Sequence, residues 1–300
     1  MVIGRNGETP RAENEEPPMG YECFDVEVSD KVAHIRMSRP DKRNSMIASF
    51  WNDLPLIVDE FSAAGSVRAI VLSSTGPHFC SGMDLSVFTS NDDIGPRSGS
   101  SGHRSRRNER FRSTAMRLQD TFNALERARM PVLAAIQGGC VGGGVDLVCA
   151  ADMRYADEGA FFSIAEIDIG MTADVGTLQR MPKLVPEGIV RELAYTGRRW
   201  SAAEAQAAGF VNAVFPDHES LVDGVLDVAA QIATKSPMAV WGSKQTMNYT
   251  RDHRVDDGLE FVANWNAAMF DTDDMAEAFG ANAEKRNPEF PDLFPLSEGI

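Results

Sequence analysis

Two glycine-rich turns offer the first chemical handle. IQGGCVGGGVDL (136–147) packs five glycines between an apolar run and a helix-like stretch, and HFCSGMDLS (78–86) sets Gly82 before a short apolar–acidic step. Glycine lets a ligand approach bare backbone N–H groups closely, and the start of a helix adds a positive field at that place. Two such N–H groups, one from each turn, could converge on a single carbonyl oxygen. That geometry polarises a thioester or ketone and stabilises the enolate left when an α-proton is removed. A tight strand-to-helix turn with close packing accounts for the same glycines without chemistry, and the residues alone leave both readings open.

Four carboxyls stand near or just after the second turn, and each has an ordinary use. Asp146 in the first turn of a helix favours the macrodipole. Glu166 and Asp168 alternate on a strand-like stretch, where solvated carboxylates are common. Asp174, followed by Val-Gly-Thr, looks like an N-cap. Other chemistries fail at the motif level. Leu147 stands where G-x-G-x-x-G needs its last glycine, and the chain has no G-x-x-x-x-G-K-[ST], H-E-x-x-H or G-x-S-x-G. Dinucleotide, P-loop, zinc-hydrolase and serine-hydrolase readings therefore drop out. The five histidines are scattered, so no metal is expected.

The elements that must position these residues follow from apolar spacing. Residues 24–38 alternate about a turn at Ser29–Asp30, which predicts a hairpin. Phe50, Leu54, Ile57, Val58 and Phe61 give helical spacing from Met46 to Ala64, with a stop at Gly65. RAIVLSS (68–74) and PVLAAIQ (131–137) are continuous apolar runs, the mark of strands buried on both faces. VDLVCAA (145–151) reads as a short helix and residues 153–167 as more strand. From about 176 to 285 the pattern is mainly helical, so the reading is an α/β body followed by a helical C-terminal region. Phe261, Trp265 and Phe270 have helical spacing and suit packing better than a substrate wall.

Composition narrows the class. At 300 residues the chain is long enough for one large domain or two ordinary ones. Lys plus Arg minus Asp plus Glu is 29 − 44 = −15, a surface that repels a phosphate backbone, so no nucleic-acid partner is expected. No apolar run approaches the ~20 residues that span a bilayer, so no membrane segment is expected. Cys23, Cys80, Cys140 and Cys149 form no C-x-x-C pair and read as reduced thiols of a cytoplasmic chain. Residues 1–20 read as a disordered polar tail rather than a leader, and the final SEGI differs from the peroxisomal S-K-L. Residues 89–108, Gly/Ser-rich and then basic, form either a solvated loop or a lid whose arginines meet an anionic ligand.

Taken in order, RPDKRNSM (39–46), FCSGMDL (79–85), GGCVGGGVDLVCAADMRY (138–155), FFSIAEIDIGMTADVGTLQRMPKLV (161–185), GRRWSAAEAQAAGFVNAVFP (197–216) and KSPMAV (235–240) resemble the enoyl-CoA hydratase/isomerase (crotonase) superfamily. The resemblance covers roughly residues 24–270. It is strongest to the Δ3,5-Δ2,4-dienoyl-CoA isomerase branch, through Asp146, Glu166 in AEIDIG, Asp174 in TADVGTLQR, and the stretches 249–259 and 264–269. It implies a crotonase-like spiral of repeated ββα units over 21–215 and a helical C-terminal trimerisation region over 216–300, assembled as a homotrimer or a dimer of trimers. It also implies conversion of 3,5-dienoyl-CoA to 2,4-dienoyl-CoA in fatty-acid β-oxidation, by proton shuttling between C2 and C6.

By that resemblance the N–H groups of Met83 and Gly143 form the oxyanion hole, Glu166 and Asp174 shuttle the proton, and Asp146 supports them. Which acid serves which carbon stays open. Lys42, Arg43 and Asp84 are candidates for holding CoA, which is part of the substrate, so no separate cofactor is expected. The alternative within the superfamily is 2-enoyl-CoA hydratase, with Asp146 and Glu166 flanking a water; Asp174 discriminates, because a typical hydratase has no carboxyl there. A non-catalytic RNA-binding member is the third reading, and the net charge opposes it.

Overall fold

The computed structural model describes residues 20–84, 86–87 and 104–297. The expected tail, apart from Gly20, and residues 89–103 of the basic island lie outside the described residues. Arg104 onwards belongs to a helix.

Strands β1 (Phe24–Ser29) and β2 (Val32–Met37) form the expected hairpin. Its turn is Asp30–Lys31, one residue later than the pattern suggested, and both residues have positive φ. Such a two-residue turn matches the twist of the flanking strands. Helix α1 (Ala48–Ala64) ends on Gly65 in the left-handed region, where a side chain would strike the Leu293 carbonyl. Strand β3 (Ala69–Ser74) follows, and α2 (Arg104–Arg127) leads to β4 (Val132–Ile136). The second glycine turn then forms β5 (Gly139–Val141) and α3 (Gly143–Ala150), and β6 (Met153–Asp157) precedes β7 (Phe161–Ser163).

The main sheet has the order β1-β2-β3-β4-β6-β9, parallel except at the hairpin, with β9 spanning Ala213–Phe215. A second sheet orders β5-β7-β8, where β8 is Trp200–Ser201. Successive segments thus place one strand in each sheet before a helix returns: β4 then β5, β6 then β7. The isolated bridge from Cys80 to Cys140 extends the same layering to the turn after β3. This is the spiral of ββα units.

Both faces of the main sheet are covered, which is why β3 and β4 read as unbroken apolar runs. Ile70, Leu72, Val132, Ala134 and Ile136 face a core with Phe50, Leu54 and Ile57 of α1, Phe122 and Leu125 of α2, and Val145 and Val148 of α3. On the other face Val32, Ala69, Val71, Leu133 and Ala135 pack against Leu221, Val225 and Ala229 of α7 (His218–Ala233). Residues 218–233 therefore belong to the body of the fold, and the boundary expected at 215/216 falls ahead of a helix that completes the core. Strands β8 and β9 interrupt the region read as mainly helical, being too short to show a period. Helices α4 (Thr177–Arg180) and α5 (Glu187–Thr196) precede β8, and α6 (Ala202–Ala207) stands between β8 and β9.

Helices α8 (Pro237–Arg251), α9 (Val255–Met269) and α10 (Thr272–Glu284) finish the chain. The buried Lys244 of α8 donates to the carbonyls of Leu125 and Met130 and to Asp152, fixing the helix to the body. Phe261 stacks on Tyr249 and Trp265 meets Trp241 edge-on, so both serve packing between α8 and α9, while Phe270 is 57% exposed.

Candidate active site

The two glycine turns are tied edge to edge. Cys80 N–H donates to the Gly139 carbonyl and Val141 N–H to the Cys80 carbonyl; Met46 N–H donates to Gly82 and Asp84 N–H to Met46. Gly82 has φ +85, and a methyl placed on it would lie 3.3 Å from the Gly143 nitrogen; one on Gly143 would lie 3.7 Å from the Met83 nitrogen. The N–H groups of Met83 and Gly143 are thus neighbours. Met83 N–H donates to no backbone acceptor among the described residues. Gly143 opens α3, and its N–H likewise donates to no backbone acceptor among the described residues. Both border a cavity of about 180 Å3 whose walls include Trp51, Val141, Glu166, Ile169, Met171 and Asp174.

Glu166 reaches this cavity because the chain leaves its strand early. Residues Ala165–Ile169 form a 3-10 turn closed by Gly170 at φ +74, where a strand was expected. In a strand residues two apart share a face; at three residues per turn they diverge. Glu166 accordingly points at the glycine turn, its Oε1 3.2 Å from where a Gly142 side chain would begin. Asp168 points elsewhere, beside Gly197 in a separate cavity. Burial, followed by the negative charge of Asp146, pushes the Glu166 carboxyl up to about 7, and its Oε2 is buried without a hydrogen-bond partner.

Asp174 is not an N-cap. Helix α4 begins after Gly176, and its Thr177 N–H is taken by Asp146 Oδ1 at 2.6 Å. Asp146, fully buried, therefore pins the end of the Asp174 loop while remaining behind the cavity wall. Burial raises its carboxyl to about 6 against the opposing hydrogen bonds from Thr177, and its Oδ2 has no partner. The Asp174 carbonyl accepts from Gln119 Nε2 at 2.7 Å, which fixes the loop from the side of α2. Asp174 lines the cavity, and burial raises the proton affinity of its carboxyl. Two carboxyls with raised proton affinities, Glu166 and Asp174, thus border the cavity that Met83 and Gly143 also line, with a third, Asp146, buried behind its wall. Among the described residues no group of three or more His, Cys, Asp or Glu side chains is arranged to hold a metal ion.

Residues 27–293 match the sequence profile of the family described as Enoyl-CoA hydratase/isomerase. This chain belongs to the enoyl-CoA hydratase/isomerase family. It is 42% identical over 274 residues to the mitochondrial Delta(3,5)-Delta(2,4)-dienoyl-CoA isomerase of Homo sapiens, covering 91% of this chain and 82% of that one. It is also 42% identical over 262 residues to the peroxisomal Delta(3,5)-Delta(2,4)-dienoyl-CoA isomerase of Arabidopsis thaliana, covering 87% and 93%. Among solved structures it is similar to an enoyl-CoA hydratase from Bacillus anthracis, with a TM-score of 0.80 at 28% identity over 90% of this chain and 99% of that one. The fold is the crotonase fold of this family.

Within this enoyl-CoA hydratase/isomerase fold the weaker sequence candidates separate. Arg43 lines a cavity of about 450 Å3 with His78, Ser163, Asp168 and Arg199, and this cavity shares Ser81, Val141 and Ala165 with the first. Lys42 sits exposed at the end of the 3-10 turn Pro40–Lys42 and lines neither cavity. The Asp84 carboxylate is occupied internally. Hydrogen bonds from Ser86 and from Ser45 hold it down at about 2, and it ties the loop at 45 to the first glycine turn. That side chain is structural.

Three residues were missed in the sequence. Trp51 lies on the apolar stripe of α1, yet its Nε1 is buried without a partner at the cavity wall. Arg199, within the motif GRRW, lies over the Phe161 ring at 4.2 Å. Arg180 is enclosed beside the Asp174 loop, and only its position three residues beyond Thr177 in GTLQR hinted at that.

Proposed function

We propose that this protein is an isomerase converting 3,5-dienoyl-CoA to 2,4-dienoyl-CoA within fatty-acid β-oxidation. The observation that carries the reading is the placement of Glu166 and Asp174 on one small cavity with the neighbouring backbone of Met83 and Gly143. The thioester oxygen accepts from those two amides, which stabilise the negative charge that develops when C2 loses a proton. Glu166, next to Gly142, is the group closer to C1 and takes the C2 proton. Its proton affinity near neutrality suits a group that must accept and later release a proton. The electron pair shifts along the conjugated chain, and C6 takes a proton from the Asp174 carboxyl. Asp146 touches no substrate atom; it secures Thr177 and, through its charge, raises Glu166.

CoA is part of the substrate, and no separate cofactor takes part. The nucleotide end runs past Ser81 and Val141 into the cavity holding Arg43 and Arg199, whose charges answer its phosphates. The hydratase reading is weaker because it asks Asp146 and Glu166 to flank one water, whereas Asp146 is fully buried and bonded to Thr177. The proposed assembly is a homotrimer or a dimer of trimers, supported by the exposed apolar residues Val255 and Leu259 of α9, Phe270 just after it and Phe279 of α10. Four free, buried cysteines suit a reducing, cytoplasmic setting. No helix of the described residues is long and apolar enough to cross a membrane.

Asp174→Asn tests the role of the second acid. Turnover of a 3,5-dienoyl-CoA should fall by about 10²–10⁴ while the circular dichroism spectrum and melting temperature hold. Near-normal turnover would sink the assignment.

A further inference from the structure

The proton shuttle leaves a debt at each turnover. Glu166 ends protonated, since the C2–H bond has broken toward it. Asp174 ends ionised, since its O–H bond has broken as the C6–H bond formed. Before the next substrate reacts, one proton must leave Glu166 and one must reach Asp174. This inference rests on the isomerase reading above and adds the route by which Asp174 is recharged.

Asp174 and Val175 border two cavities, whereas Glu166 borders only the first of them. The second cavity, of about 410 Å3, has a polar wall: Gln119, Asn123 and Glu126 of α2, Arg180 of α4, and Arg251 and Asp252 at the end of α8. Positions 119, 123 and 126 recur at helical spacing, so α2 presents one polar face to the Asp174 loop. Arg251 and Asp252 are exposed at the rim, while Glu126 and Arg180 are largely covered within. Arg180 Nη2 donates to Asn123 Oδ1 at 2.6 Å and Glu126 Oε2 at 2.8 Å, and Arg251 pairs with Glu126 as well. Against burial, which alone would raise it, these two arginines keep the Glu126 carboxyl below its usual range. Fixed charges and amides of both signs give water the polar partners it needs. The substrate cavity, walled by Trp51, Val141, Ile169 and Met171, has few of them.

We propose that this second cavity is a solvent port through which water, or a small buffer acid, reprotonates Asp174 independently of the substrate cavity. The proton arrives from hydronium or the buffer acid, the carboxylate oxygen of Asp174 takes it, and water or the buffer base remains. Glu166 returns its proton to solvent once product has left. The side chains of the port hold water and shape the path; none touches the reacting carbons.

The test plugs the port with two independent variants at residues that line it, Asn123→Phe and Gln179→Trp, assayed as full-length enzyme on a 3,5-dienoyl-CoA. Recharging follows the chemical steps, so a plug should lower kcat by about tenfold, less than the 10²–10⁴ lost with the acid itself, and leave kcat/KM unchanged. Raising the concentration of a small buffer acid should restore part of kcat. Substrate deuterated at C2 adds a measurement on the unaltered enzyme: C6 of the product should carry hydrogen from solvent, with little deuterium passed on from C2. Wild-type kcat in both variants, a parallel fall in kcat/KM, or quantitative C2-to-C6 deuterium transfer in the unaltered enzyme would each overturn the port. An unaltered enzyme that never forms the 2,4-diene would instead refute the isomerase reading.

Discussion

At the scale of single residues, the site depends on carboxyls kept where water would not put them. Burial raises Glu166 to about 7 and Asp146 to about 6, so both bind protons more tightly in the folded than in the unfolded chain. Their contribution to stability is therefore complete below the unfolded carboxylate range near 4 and is lost as pH rises through about 6 and about 7. Glu166→Gln removes the buried charge without changing the shape. At about pH 8 it should melt higher than the unaltered protein by about 2 °C or more, with the gap closing toward about pH 5. Thermal melts across that range check the sign, and equal melting temperatures at pH 8 would contradict it. Activity runs the other way: kcat/KM should rise as Glu166 ionises, with an apparent pKa near 7. The carboxyls were visible in the sequence as acids among glycines. Their burial was not, because Asp146 acquires its partner, Thr177, from 31 residues away. Asp168 could not be set apart from Glu166 by type or spacing; the 3-10 turn alone separates them.

At the scale of elements, the glycine turns and the buried strands were the readable part. RAIVLSS and PVLAAIQ appear as β3 and β4 within a residue or two, because helices on both faces impose the apolar run that marked them. Strands β8 and β9 were lost within the helical stretch, since two or three residues carry no period. The turns also make the sharpest demand on sequence. Gly142 has φ +54, and a methyl there would crowd Glu166 Oε1 at 3.2 Å. Gly142→Ala should strain the turn that presents the Gly143 N–H and displace Glu166 together, costing about 10²–10³ in kcat. A steady-state assay beside a circular dichroism spectrum checks this, and full activity with an intact fold would show that the turn does not hold the oxyanion donor.

For the whole molecule, a net charge of −15 coexists with local basic groups at Arg43 and Arg199, so the sum over the surface says little about one anionic ligand. Helix α9 exposes Val255 at 70% and Leu259 at 61%, more apolar area than a lone chain gains from. If the proposed trimer or hexamer forms through this face, the double variant Val255→Asp and Leu259→Asp should shift the mass in light scattering toward monomer; an unchanged mass would contradict an interface here. The central claim concerns the reaction, and its most direct measurement is the ratio of kcat/KM for 3,5-octadienoyl-CoA and for crotonyl-CoA on the purified protein. Growth of the conjugated 2,4-dienoyl absorbance with 3,5-octadienoyl-CoA, and a kcat/KM that exceeds the one for crotonyl-CoA hydration, is the predicted result. Rapid loss of the crotonyl-CoA absorbance with no conversion of the diene would contradict it and make the protein a hydratase.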